Sequence, residues 1–166
     1  MATNWAAVYR ETYADLVRFL HRKVWDADRA CDLAQEVFVR ALEHDSDKPR
    51  AFVFTIAANL ARDEARSAAV RKRHLELVTS DDISHSATPE DELERREEQE
   101  AVRAALARLS ERDREVLLLW DAGLDYDEIA AQTGLARGAV GTTLTRARRR
   151  LIEAHEAVEG NDAALG

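Results

Sequence analysis

One cysteine in the whole chain leaves no partner for an internal disulfide and no pair on which a cysteine-based zinc site could be built. The five histidines, His21, His44, His74, His85 and His155, are scattered without ligand spacing, so no metal is expected. Only 2 prolines and 6 glycines interrupt the 166 residues. Phosphate loops, glycine-rich dinucleotide fingerprints and nucleophile-and-base arrangements are missing too. An enzyme is therefore not expected, nor is a cofactor or a small-molecule substrate. No apolar run approaches the roughly 20 residues that cross a bilayer. The opening stretch, MATNWAAVYRETYADL, lacks the basic-then-apolar order of a signal peptide. A cytoplasmic chain without direct membrane insertion is the expectation.

What is present favours helix almost everywhere. Ala, Leu, Glu and Arg dominate, and these are strong helix formers. The net charge of −8 hides an uneven distribution. Residues 1–74 hold 13 Lys and Arg against 11 Asp and Glu, and residues 101–150 hold 9 against 7. The acid is concentrated in residues 75–100, with 2 against 10, and in residues 151–166, with 0 against 4. An acidic balance argues against nonspecific nucleic-acid binding but leaves room for a local basic footprint.

The fold class that follows is all-α, with two small helical domains joined by an acidic linker. In the first, residues 1–74, the spacing of Val8, Tyr13, Leu16, Val17 and Leu20 predicts one helix. Leu33, Val37, Phe38 and Leu42 predict a second, in which Cys31 is expected as a buried free thiol. The polar turn EHDSDK leads to Pro49 at a first helical position, and Phe52, Val53, Ile56, Ala57 and Leu60 predict a third. Residues 75–88 lose periodicity and gather Ser, Thr and Asp, as a flexible linker does. The second domain, residues 89–155, opens with Thr88 as N-cap and Pro89 in the first turn. Residues 156–166 form an acidic tail.

Within the second domain, DYDEIAAQTGLARGAVGTTLTRARRRL reads as a helix-turn-helix. Asp125 and Glu128 have capping-box spacing, Ala130 is small where two helices must touch, and Gly134 suits a turn needing positive φ. Val140, Leu144 and Ala147 face inward, while Arg137, Gly141, Thr142, Thr145, Arg146 and Arg149 face out. Arginine pairs with guanine or clamps phosphate, and threonine offers a hydroxyl or a methyl to base edges. The bland alternative is a packed helix pair whose arginines only solvate a face. For DLAQEVF, spacing alone divides evenly between a docking surface and an intrahelical Glu36–Arg40 ion pair.

Three stretches in order, DLAQEVFVRAL, PRAFVFTIAANLARDEAR and ALARLSERDREVLLLWDAGLDYDEIAAQTGLARGAVGTTLTRARRRL, resemble the extracytoplasmic-function (ECF) group of bacterial sigma factors. The resemblance spans about residues 5–152 and implies an initiation factor whose partners are RNA polymerase core and promoter DNA. It implies core docking through Asp32, Gln35, Glu36 and Arg40, and −10 recognition and melting through Asn59, Arg62, Asp63 and Arg66. Recognition of the −35 element falls to Tyr126, Arg137, Thr142, Thr145, Arg146 and Arg149. An anti-sigma factor is implied as regulator, covering apolar groups such as Phe38, Phe52, Leu117 and Trp120. The chain departs from the family in a shorter EHDSDK turn and in Phe52 where tryptophan is common. In the second helix of the helix-turn-helix, Gly141 and Thr143 stand where relatives carry basic residues, which implies weaker, less salt-dependent binding by the isolated domain. The alternative role is a sigma-like mimic that sequesters an anti-sigma factor without recognising promoters.

Overall fold

The computed structural model of the chain describes residues 2–74 and 88–165, and the expected linker at 75–88 lies almost wholly outside them. Seven helices and no strand occur among the described residues. The first three are α1 (Trp5–Val24), α2 (Ala27–Ala41) and α3 (Pro49–His74), and each packs on the other two. Local chemistry sets their ends. The Asn4 side chain accepts from Ala7 N–H and the Asp26 side chain accepts from Arg29 N–H, so each satisfies an orphan donor of a first turn. Helix α1 stops at Trp25, whose backbone is left-handed at φ 57°. That conformation costs a non-glycine residue about 1–2 kcal/mol, offset here by the Arg22 and Arg103 guanidiniums, each 5.8 Å from the indole.

Leu16, Phe19 and Leu20 of α1, Leu33, Val37 and Phe38 of α2, and Val53, Phe54 and Leu60 of α3 are buried together. Phe19 and Phe54 meet edge to face at 5.4 Å. Val8, Tyr13, Val17, Phe52 and Ile56 line this core half-buried. Two expectations are corrected. Leu42 is 62% exposed, because α2 ends at Ala41 and the capping residue turns outward. Cys31 is exposed, because it lies one step off the inward face held by Ala30, Leu33 and Ala34.

The second domain contains α4 (Pro89–Ala107), α5 (Glu111–Asp121), α6 (Tyr126–Thr133) and α7 (Arg137–Leu165). The first three of these all pack on α7. Thr88, Ser110 and Asp125 cap α4, α5 and α6 by accepting from the backbone N–H three residues on, and Pro89 occupies the first turn of α4. The segment expected as a separate acidic tail continues α7 to Leu165. No proline interrupts it, although Gly160, Asn161 and Asp162 are weak helix formers, so the helix carries on from α7 rather than being nucleated there. No helix among the described residues is long and apolar enough to cross a membrane.

The two domains touch through polar contacts between distant parts of the chain. Arg18 donates to the Asp121 carbonyl at 2.7 Å, Arg50 donates to the Ala122 carbonyl at 2.8 Å, and Lys23 pairs with Glu115. Thr55 donates to Gln132 Oε1 at 2.8 Å. Gly123, at φ 90°, is required here twice over. Its backbone is left-handed, and an added Cβ would lie 2.7 Å from the Arg50 guanidinium that Ala122 and Asp15 hold in place. Gly123→Ala is expected to cost about 1–3 kcal/mol in a thermal melt. Gly138→Ala, which meets nothing within 4 Å, is expected to cost nothing.

Candidate nucleic-acid and polymerase interfaces

The helix-turn-helix is fixed by its local chemistry. The Asp125 side chain accepts from Glu128 N–H while Glu128 accepts from Asp125 N–H, both at 2.8 Å, closing the capping box. Gly134 takes φ 75°, and its N–H returns to the Ala130 carbonyl at 3.0 Å. Ile129, Val140, Leu144 and Ala147 are buried, anchoring α7 against α6 and α5. The opposite face of α7 presents Arg137, Thr142, Thr145 and Arg149 to solvent. Thr145 donates its hydroxyl to the Gly141 carbonyl at 3.0 Å, which leaves its methyl and an oxygen lone pair outward. Arg137 pairs with Asp127, but both side chains are well exposed and such a pair is worth little.

Tyr126 and Gly141 form one feature. A Cβ on Gly141 would sit 3.4 Å from the Tyr126 ring, in ordinary van der Waals contact with it, so the tyrosine lies directly over this stretch of α7. Tyr126 also lies 5.5 Å from Trp120, and the Arg148 guanidinium stands 5.5 Å over that indole. The aromatic pair continues the exposed face of α7 onto the start of α6.

Arg146 is held differently from its neighbours. Its guanidinium donates to Asp113 Oδ1 at 3.0 Å, and Arg150 donates to Asp113 Oδ2 at 2.8 Å. The Asp113 side chain is 1% exposed. Burial alone would push its carboxyl up, but the hydrogen bonds and charges of the two arginines outweigh burial and hold it below the ordinary aspartate range. A carboxyl depressed in the folded state contributes stability that is complete above the unfolded value, about pH 4, and is lost as pH falls through the folded one. Asp113→Asn is expected to remove that acid limb from a plot of thermal midpoint against pH.

On α2, Asp32, Gln35 and Arg40 are exposed and Glu36 is half-buried. Gln35 donates to the Tyr9 and Tyr13 hydroxyls at 3.2 and 3.4 Å, and Arg40 donates to Glu36 at 2.7 Å. The ion pair anticipated from spacing therefore forms, yet it covers nothing. Burial raises the Tyr13 hydroxyl above the ordinary tyrosine range. Exposed Val39, which no periodicity argument marked, and exposed Leu42 add an apolar flank.

On α3, Asn59, Arg62, Asp63 and Arg66 are all exposed. Asn59 and Arg62 line a cleft of about 840 Å³ facing Arg112 and Gln132 of the second domain, whereas Asp63 and Arg66 do not line it. The helix is tied to α2 by Arg29 donating to Glu64 at 2.7 and 2.8 Å, a bond that raises the guanidinium above its ordinary range. Sequence reasoning missed Asp113, Arg29–Glu64 and Arg50. Their partners lie 33 or more residues away, and no local signal marks them.

Residues 8–71 match the family described as Sigma-70 region 2, and residues 99–151 match Sigma-70, region 4. The chain is 36% identical over 156 residues to the ECF RNA polymerase sigma factor SigL of Mycobacterium tuberculosis, covering 87% of this chain and 85% of that protein. It is 38% identical over 134 residues to the ECF RNA polymerase sigma factor EcfG of Rhodopseudomonas palustris, covering 76% and 71%. In fold it is similar to the sigma factor RpoE from Bartonella quintana, solved in complex with the anti-sigma factor NepR. The TM-score is 0.64 at 23% identity, over 92% of this chain and 97% of that one.

Proposed function

The chain belongs to the ECF group of RNA polymerase sigma factors, and from that premise we propose how its residues divide the work. Residues 1–74 dock on RNA polymerase core through Asp32, Gln35, Glu36 and Arg40, and engage the −10 element through Asn59, Arg62, Asp63 and Arg66. Residues 89–155 read the −35 element through Tyr126, Arg137, Thr142, Thr145 and Arg149. The observation that carries this division is that the α2 face and the α7 face are both exposed in one chain, on separate domains. Two weak contacts joined by a tether gain effective concentration on one promoter, which suits an α7 with few basic residues.

The cleft adds a step. Asn59 and Arg62 are exposed but face the second domain across the cleft, so separation of the domains would widen the approach of promoter DNA to them. Of the polar contacts to be broken, those of Arg18 and Thr55 are exposed and worth about 1 kcal/mol or less each. Those of Arg50 with Ala122 and of Lys23 with Glu115 are half-buried, so these two are the ones core binding must chiefly overcome. Control by an anti-sigma factor is supported by a groove of about 540 Å³ lined by Val102, Leu106, Leu117, Leu118, Trp120 and Leu151. Arg22, Arg148 and Asp121 also line it, a balance of one positive charge, so it fits an amphipathic helix that carries an acidic residue beside its apolar face. Phe38, by contrast, is buried and adds nothing to such a surface.

Transcription by purified core with this chain on a library of genomic fragments tests the proposal. Initiation at discrete sites sharing −35 and −10 elements is expected. A chain that binds a small regulator but directs no initiation is a mimic, and the proposal fails.

A further inference from the structure

We propose that Asp113 sets promoter specificity by drawing Arg146 and Arg150 away from DNA, leaving the −35 element to be read by Thr142, Thr145, Arg149 and Tyr126. The proposal rests on the assignment of α7 as the −35-reading helix. Within that helix, Arg146 stands one step beyond Thr145 and four beyond Thr142, where sequence alone places it among the base readers. The structure ties its guanidinium to a buried group, although the side chain as a whole is 41% exposed. Its Nε is buried without a hydrogen-bond partner, and an Nη is committed to a carboxylate that has no access to water.

A guanidinium whose Nε edge is buried cannot turn that edge to guanine O6 and N7. One Nη is anchored from behind by Asp113, which leaves only the other Nη free to turn toward DNA. Arg150, one helical turn further on, is bound to the other carboxylate oxygen, so a single buried carboxylate engages two of the four arginines in the run from 146 to 150 and cancels one of their two charges. Arg149 has no such partner among the described residues and stands exposed. Asp113 lies on α5, outside the helix-turn-helix, and is a positioning residue: it touches no base and acts through the arginines it holds.

Holoenzyme assembled from core and the full chain, assayed for initiation across a library randomised through the −35 element, tests this. Base preference is a ratio among templates in one reaction, so a smaller folded fraction lowers every count without altering it. With Arg146→Ala, base preferences are expected to match those of the unsubstituted chain, while Arg149→Ala flattens at least one position. With Asp113→Asn, the released Arg146 is expected to create a new guanine preference of about tenfold at one position. Affinity should also become more steeply salt-dependent as phosphate contacts are added. The double variant Asp113→Asn, Arg146→Ala should lose the new preference. Loss of an existing base preference in Arg146→Ala, or unaltered preferences in Asp113→Asn, overturns the proposal. Absence of any discrete initiation by the unsubstituted chain overturns instead the assignment on which it rests.

Discussion

Replacing Arg146 and Arg150 together with alanine destabilises the folded chain by about 3–5 kcal/mol, the cost of leaving a buried carboxylate without its partners. Asp113 is 1% exposed beneath guanidiniums that are themselves 41% and 52% exposed, so water entering as they are removed replaces only part of what they satisfy. Either arginine alone leaves the carboxylate one partner, and each single alanine variant is expected to cost clearly less than half of the total. The pH dependence reverses sign in the double variant. Without its partners the buried carboxyl titrates above the unfolded value, so the penalty is present at neutral pH and relieved as pH falls through the raised folded value. Adding Asp113→Leu to the double variant removes the stranded charge and should restore most of the lost stability. Equilibrium denaturation of the four chains checks this. A double variant as stable as the original would show that the carboxylate is not held by these arginines.

The second large effect is on assembly. Replacing Gln35 and Glu36 with alanine lowers the affinity for polymerase core by about 10- to 100-fold, the loss of about 1.4–2.8 kcal/mol across two contact residues. Helicity and melting temperature stay near their original values. Gln35 is exposed, and it holds only the Tyr9 and Tyr13 hydroxyls, which water can satisfy in its place. Glu36 pairs only with exposed Arg40 one turn away, a contact worth a few tenths of a kcal/mol. Titration of labelled chain with core gives the affinity, and circular dichroism gives the fold. Unchanged affinity removes α2 from the docking surface.

Helix boundaries were legible in the sequence because caps act over three or four residues. Thr88, Ser110, the Asp125–Glu128 box and Gly134 each do what their spacing implies. The inward face of α7 was legible for the same reason, since Val140, Leu144 and Ala147 keep helical period against α6. What escaped is what depends on a distant partner. Arg146 looks like a base reader until Asp113 arrives from α5. Charge marked residues 156–166 as a separate tail, whereas α7 carries on through them to Leu165. Of the residues proposed for the −10 element, Asn59 and Arg62 line the interdomain cleft and Asp63 and Arg66 do not, a division that no spacing rule supplies.

The central claim is that one chain couples polymerase core to two promoter elements through two domains. Start-site mapping on a single promoter, with holoenzyme and with the −35 and −10 elements scrambled in turn, tests it most directly. The expected result is that scrambling either element abolishes initiation at the mapped site, and that neither core nor the chain alone initiates there. Initiation that persists at the same site with both elements scrambled would contradict it.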